Sequence, residues 1–160
     1  MNRRRVAWVL VLIVDFGYIV WGAMAAAWPD HLLGPHGTPI VTAGYEGFTR
    51  ASWLELVRTS PMTAAFIDVL FRMYGVYNAM FGLVASAIVV TAFRRGDTWA
   101  WWTLLAGNTI ALVAAMTYDR LANAIGPFEL SEYLGLALVW VALAITAPLL
   151  DVRRPVLAEN

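Results

Sequence analysis

Residues 71–82 run Phe71-Arg72-Met73-Tyr74-Gly75-Val76-Tyr77-Asn78-Ala79-Met80-Phe81-Gly82, and the fold is decided by how they are read. The stretch is apolar enough for a membrane, yet it carries an arginine, an asparagine and small residues at helical spacing. A helix facing only lipid would carry Leu, Ile and Val at those positions. The apolar run around it begins at Ser60-Pro61, a hydroxyl suited to the N-cap followed by proline at the first helical position, and extends to about Phe93. A helix of that length covers roughly 45–50 Å at about 1.5 Å per residue, against a hydrocarbon core of about 30 Å, so one end projects or the helix tilts or kinks.

Three further apolar runs accompany this one. Residues 6–28 open with Arg3-Arg4-Arg5 and end in Ala25-Ala26-Ala27, a pattern that resembles a secretory signal. Their apolar length of about 23 residues is nevertheless sufficient to cross, and Trp8 and Trp28 sit like interfacial belt residues at the two ends. Arg94-Arg95-Gly96-Asp97 is a tight polar turn leading into a third run from Trp99 to Tyr118, and a fourth extends from about Glu129 to Leu150. The expected architecture is an all-α membrane protein, one domain over 1–160, folded as a four-transmembrane-helix bundle with spans near 6–28, 66–93, 98–118 and 130–150. Between the first two spans lies a connection, 29–60, that begins as a Pro- and Gly-rich loop. It then offers Trp53, Leu54 and Val57 on one helical face, a short helix at the membrane surface.

Composition supports this class. Hydrophobic residues make up 61% and charged residues 14% of the 160, far from the soluble average of about 45–50% and 25%. The formal charge is zero and there is no cysteine, which removes thiol chemistry, disulfides and cysteine-ligated metals. The dispersed arginine clusters argue against nucleic acid as a partner. Arg3, Arg4 and Arg5, Arg94 and Arg95, and Arg153 and Arg154 fall on one side of such a bundle, so the positive-inside rule puts both termini in the cytoplasm of a multi-pass plasma-membrane protein.

Spacing also gives a depth map. Arg72 lies about 22 residues, roughly 33 Å, from Arg94, and Asp119 lies equally far from Asp97, so both belong at the outer boundary. With Asp68, Arg120, Glu129 and Glu132 they form a mixed ring there, Tyr118 and Tyr133 nearby, and Asp68 and Arg72 are an i,i+4 ion pair. The guanidinium of Arg72 suits a phosphate or carboxylate. Asp15 is different: at about 15 Å from Arg5 it is near mid-membrane, where an ionised carboxyl is costly and a neutral, hydrogen-bond-donating one is expected. Asn108 reaches almost the same depth, and the two are expected to meet, with Thr109 and Tyr18 close by. Asn78, Gly82 and Ser86 share a face, Gly75 and Ala79 a neighbouring one, and Gly107-Ala111-Ala115 and Gly22-Ala26 repeat the small-residue spacing that permits close helix packing.

These residues suggest a polar track descending from the outer surface, with Asp15, Tyr18, Arg72, Tyr74, Asn78, Asn108, Asp119 and Glu132 as candidates for ligand contact. Such a track fits a membrane lipid or apolar small molecule held between the helices, open toward the outer leaflet. Alternatives are an accessory subunit docking on a membrane-protein partner or a second copy, an intramembrane enzyme moving protons through carboxylates, and an ion- or proton-coupled oligomer centred on Asp15. The sequence alone does not identify a catalytic residue or a cofactor. His31 and His36 with Asp30 are too few for a metal site on their own.

Overall fold

The computed structural model describes residues 3–34, 37–123 and 127–147. Helix α1 spans Arg3–Ala27. It ends where Pro29, which has no N–H to donate, starts a 3-10 turn over Pro29–His31. A bridge between Leu33 and Pro39 turns the chain back into α2, Ile40–Thr49, which is followed by α3, Trp53–Thr59. Helix α4 covers Pro61–Ile88 and runs on through a π-turn, Val89–Phe93. Helix α5 is Thr98–Ala122 and α6 is Pro127–Thr146.

Within the 29–60 connection the short surface helix is α3. Its start is marked by Ser52, whose hydroxyl accepts from Glu55 N at 3.5 Å, and by Glu46, whose carboxylate accepts from Trp53 N at 2.9 Å. Helix α2 has no counterpart among the sequence expectations. It lies across the end of α5, Gly44 facing the Tyr118 hydroxyl and Gly47 against the Ala122 carbonyl, so the connection is folded onto the bundle. At the start of α4 the Ser60 hydroxyl does not cap the helix; it pairs with the Thr63 hydroxyl at 2.7 Å.

Among the described residues three helices are long and apolar enough to cross a bilayer: Arg3–Ala27, Pro61–Phe93 and Thr98–Ala122. Ile13, Phe16 and Val20 on α1, Met73, Val76 and Leu83 on α4, and Ile110 and Val113 on α5 are exposed, as lipid-facing stripes must be. The expectation of four crossings, and with it the four-transmembrane-helix bundle, is corrected to three. The apolar part of α6, Leu130–Thr146, is under 18 residues and reaches only about 25 Å, short of a hydrocarbon core of about 30 Å. The span expected over 130–150 depends on its last residues, and those from 148 onward lie outside the described structure, as do Arg153 and Arg154. An odd number of crossings also removes the parity that put both termini in the cytoplasm.

Helix α6 is nevertheless packed into the assembly. Val139, Ala142 and Leu143 join Ala7 and Val11 of α1, Val89 and Phe93, and Trp101 and Leu104 of α5 in one buried cluster. The Trp101 indole donates to Leu143 O at 3.0 Å across the α5–α6 seam. Helix α1 contacts α4 along its length and α6 on its other side, and α6 in turn contacts α5. Helices α4 and α5, although joined by a short turn, touch chiefly near that turn and diverge beyond it. The turn itself is a Schellman motif: Asp97 N donates to Ala92 O at 3.1 Å and Gly96 N to Phe93 O at 2.9 Å, with Gly96 at φ +88°. Gly96→Ala is expected to cost about 1–2 kcal/mol, since a Cβ is strained in that conformation, and to appear as a lowered thermal midpoint of the purified protein.

Candidate functional site

Asp15 and Asn108 project from α1 and α5, which are diagonal in the assembly, and both are fully buried. The Asn108 side chain approaches the Asp15 carboxyl as its hydrogen-bonding neighbour, the meeting that the spacing predicts. The contact falls short of full donor–acceptor geometry, and both carboxyl oxygens of Asp15 and Oδ1 of Asn108 are buried without a fully formed hydrogen bond among the described residues. Asn108 Nδ2 donates to Leu104 O, one turn back, at 3.2 Å. The Tyr18 hydroxyl and the Ser86 hydroxyl are likewise buried without partners among those residues. Four side chains on α1, α4 and α5 thus carry unmade hydrogen bonds, each costing about 1–3 kcal/mol unless something else supplies the partner.

The packing explains why these groups are so enclosed. A Cβ on Gly82 would meet Asp15 O at 2.5 Å and Tyr18 Cβ at 2.8 Å, so α4 presses its backbone against the turn of α1 that carries both residues. The Tyr18 ring packs edge-on against Phe81, centroids 5.0 Å apart, and Phe81 in turn reaches Gly107 of α5. Phe81 therefore bridges the space between the diverging α4 and α5. Gly135 of α6 approaches Val14 and Leu112 from the remaining side.

Toward the α2 end, Tyr18 lies within electrostatic range of Asp15, Glu132 and Tyr74. Tyr74 is in range of Glu132, Asp119 and Tyr118 as well. Asp15, Tyr18, Glu132, Tyr74 and Asp119, contributed by α1, α4, α5 and α6, thus share one electrostatic neighbourhood, at whose edge Tyr74 is exposed. Asn78 stands beside it and donates to Tyr74 O at 3.2 Å. Thr109, expected near Asp15, instead accepts from the Trp140 indole at 3.0 Å on the exposed α5–α6 flank.

Arg72 is engaged elsewhere. Its Nε donates to Asp68 Oδ2 at 2.7 Å, and its Nη1 donates to Ala26 O at 3.0 Å and Ala27 O at 3.3 Å. It closes the C-terminal end of α1, where the last carbonyls have no intrahelical donor and a cation is favoured. Arg120 turns to the Tyr133 hydroxyl at 3.3 Å. Arg72→Ala is accordingly expected to lower stability by about 1–2 kcal/mol, discounted for its partial exposure, with no change in any ligand that the protein carries. Thermal unfolding and mass spectrometry of the purified variant check the two halves separately.

His31 closes the 3-10 turn, and His36 lies outside the described residues. Among the described residues no three His, Cys, Asp or Glu side chains are grouped to hold a metal. Three apolar crossings, lipid-facing stripes and polar groups gathered inside define a multi-pass integral membrane protein, consistent with residence in the plasma membrane. No family model matches the chain, and no curated protein or solved structure is significantly similar to it.

Proposed function

We propose that this protein is a membrane-embedded binding module. It takes a lipid or another apolar molecule into the divergence between α4 and α5, with the polar group of the ligand directed at Tyr18, Asp15 and Asn108. The observation that carries this reading is the fully buried Asp15 carboxyl, whose two oxygens have no hydrogen-bond partner among the described residues. Isolated polar groups at mid-membrane are costly to retain and are found where a ligand, water or ion is handled.

The chemistry of the track narrows the ligand. Arg72 is engaged with the end of α1 and is not available to it. A head group with hydroxyl or amide groups, able both to donate and to accept, suits a neutral Asp15 carboxyl, the Tyr18 hydroxyl and the Asn108 amide. The accessory-subunit alternative draws on small-residue faces available for a partner, but Gly22, Gly75 and Gly82 are used in packing α1 against α4. Native mass spectrometry of the protein extracted with its membrane lipids is the test. A discrete bound species is expected on the wild type and on Asp15→Asn at reduced occupancy, and its loss is expected on Asp15→Leu. Equal occupancy on all three, or no bound species on any, overturns the proposal.

A further inference from the structure

At the opposite end of the bundle a concavity of about 530 Å³ is lined by Arg4, Arg5, Trp8 and Arg94. We infer that it is a second binding site, specific for a phosphate-class oxyanion at the membrane boundary. This inference is independent of the buried side chains around Asp15.

Two of the three arginines that line the hollow are placed by specific contacts. The Arg94 guanidinium lies over the Trp8 ring at 5.6 Å from its centroid, a cation–π contact that fixes its direction. The Arg4 guanidinium lies against the backbone of Gly96, at 3.0–3.1 Å from where a Cβ would stand, so the Schellman turn after α4 acts as its floor. The acid in this turn, Asp97, is paired with Arg95 at 3.3 Å and does not line the hollow. Arginine is suited to such a site because its planar fork can donate two parallel hydrogen bonds to phosphate oxygens.

Position supplies the rest of the argument. Ala7 and Val11, one and two turns further into α1, are fully buried in the apolar cluster, so the hollow sits where the first crossing helix leaves the hydrocarbon. A lipid phosphate resides at that level. The same oxyanion chemistry is offered by free phosphate, and the experiment separates the two sources.

The full-length protein in phosphatidylcholine nanodiscs is titrated with phosphatidylglycerol, with extra phosphatidylcholine as the uncharged control and inorganic phosphate as competitor. Wild type is expected to take up phosphatidylglycerol saturably and in preference to phosphatidylcholine. Affinity is expected to fall about tenfold or more in the Arg5→Gln/Arg94→Gln double variant and several-fold in Arg94→Lys, which keeps the charge but loses the fork. Arg58→Gln, on the remote α3, is expected to bind as wild type. Displacement by millimolar inorganic phosphate, or phosphate binding without lipid preference, identifies the free anion as occupant of the same site; no displacement identifies the lipid headgroup. If the double variant does not fold, Arg94→Lys and the wild-type preference carry the test. The inference is overturned if wild type binds neither phosphatidylglycerol in preference to phosphatidylcholine nor inorganic phosphate, or if binding is unchanged in the arginine variants.

Discussion

Gly75→Leu is expected to leave no folded protein in detergent, and Gly75→Ala to lower stability by about 2–3 kcal/mol. A Cβ at this position would lie 2.6 Å from Ala26 N, 2.8 Å from Gly22 O and 2.8 Å from Ala25 Cβ. Two of these are backbone atoms, so no rotamer change makes room and α1 must move away by about 1 Å to restore contact distance. Such a shift also disturbs the aromatic seam between the helices. Trp21 meets Tyr74 edge-on at 5.6 Å and Phe71 at 6.1 Å, and Tyr18 meets Phe81 at 5.0 Å, contacts worth about 0.5–1.5 kcal/mol each beyond the area buried. Gly17 provides the control. A Cβ placed there would meet nothing within 4 Å, so Gly17→Ala is expected to be neutral or to stabilise by up to about 1 kcal/mol through helix propensity alone. Size-exclusion chromatography after a temperature series distinguishes these outcomes, and equal behaviour of Gly75→Ala and Gly17→Ala contradicts the close approach.

The second large effect has the opposite sign. Asp15→Leu is expected to raise the stability of the ligand-free protein by about 1–2 kcal/mol. A γ-branched apolar side chain takes the place of a carboxyl whose buried oxygens make no hydrogen bond to the described residues, and removing an unmade bond of that kind recovers about 1–3 kcal/mol, less some overpacking. Asn108 keeps its bond to Leu104 O in the variant. If Asp15 and Asn108 were instead a clasp holding α1 to α5, the same substitution would cost about 1–2 kcal/mol. A stabilising substitution at mid-membrane that removes ligand binding is the pattern of a residue kept for function at the expense of stability.

Much of this is legible in the chain because helical rise converts spacing into depth. That arithmetic puts Asp15 and Asn108 at the same level, where both are fully buried, and it pairs Asp68 with Arg72, which meet at 2.7 Å. It cannot supply direction around the helix axis or the partner of a long side chain. Arg72 turns to Ala26 O and Ala27 O, a partner set by where α1 ends. Helix α2 is hidden by composition. Pro39 precedes it, and Gly44 and Gly47 interrupt it, so turn residues outweigh the apolar spacing of Ile40, Val41 and Tyr45. Those glycines are there because α2 lies directly on α5. The separation of α4 from α5 is equally invisible, because a short turn fixes only where two helices begin. The count of four crossings fails on length, a margin of a few residues at the end of α6.

The arginine hollow shows the same limit from another side. In the sequence, Arg4, Arg5 and Arg94 are signs of orientation, each belonging to its own segment. The packing of α1 along α4 brings the segments together, and Trp8 and Gly96 hold two of the guanidinium groups in place.

On the proposed function, Asp15 is retained to meet a ligand and not to join helices. Thermal unfolding of wild type and Asp15→Leu, each delipidated and then supplied with total lipid extract from the expressing cells, tests it most directly. The delipidated variant is expected to unfold at a higher temperature than delipidated wild type, and the extract is expected to raise the midpoint of wild type but not of the variant. A less stable variant, or an equal response of both proteins to the extract, contradicts it.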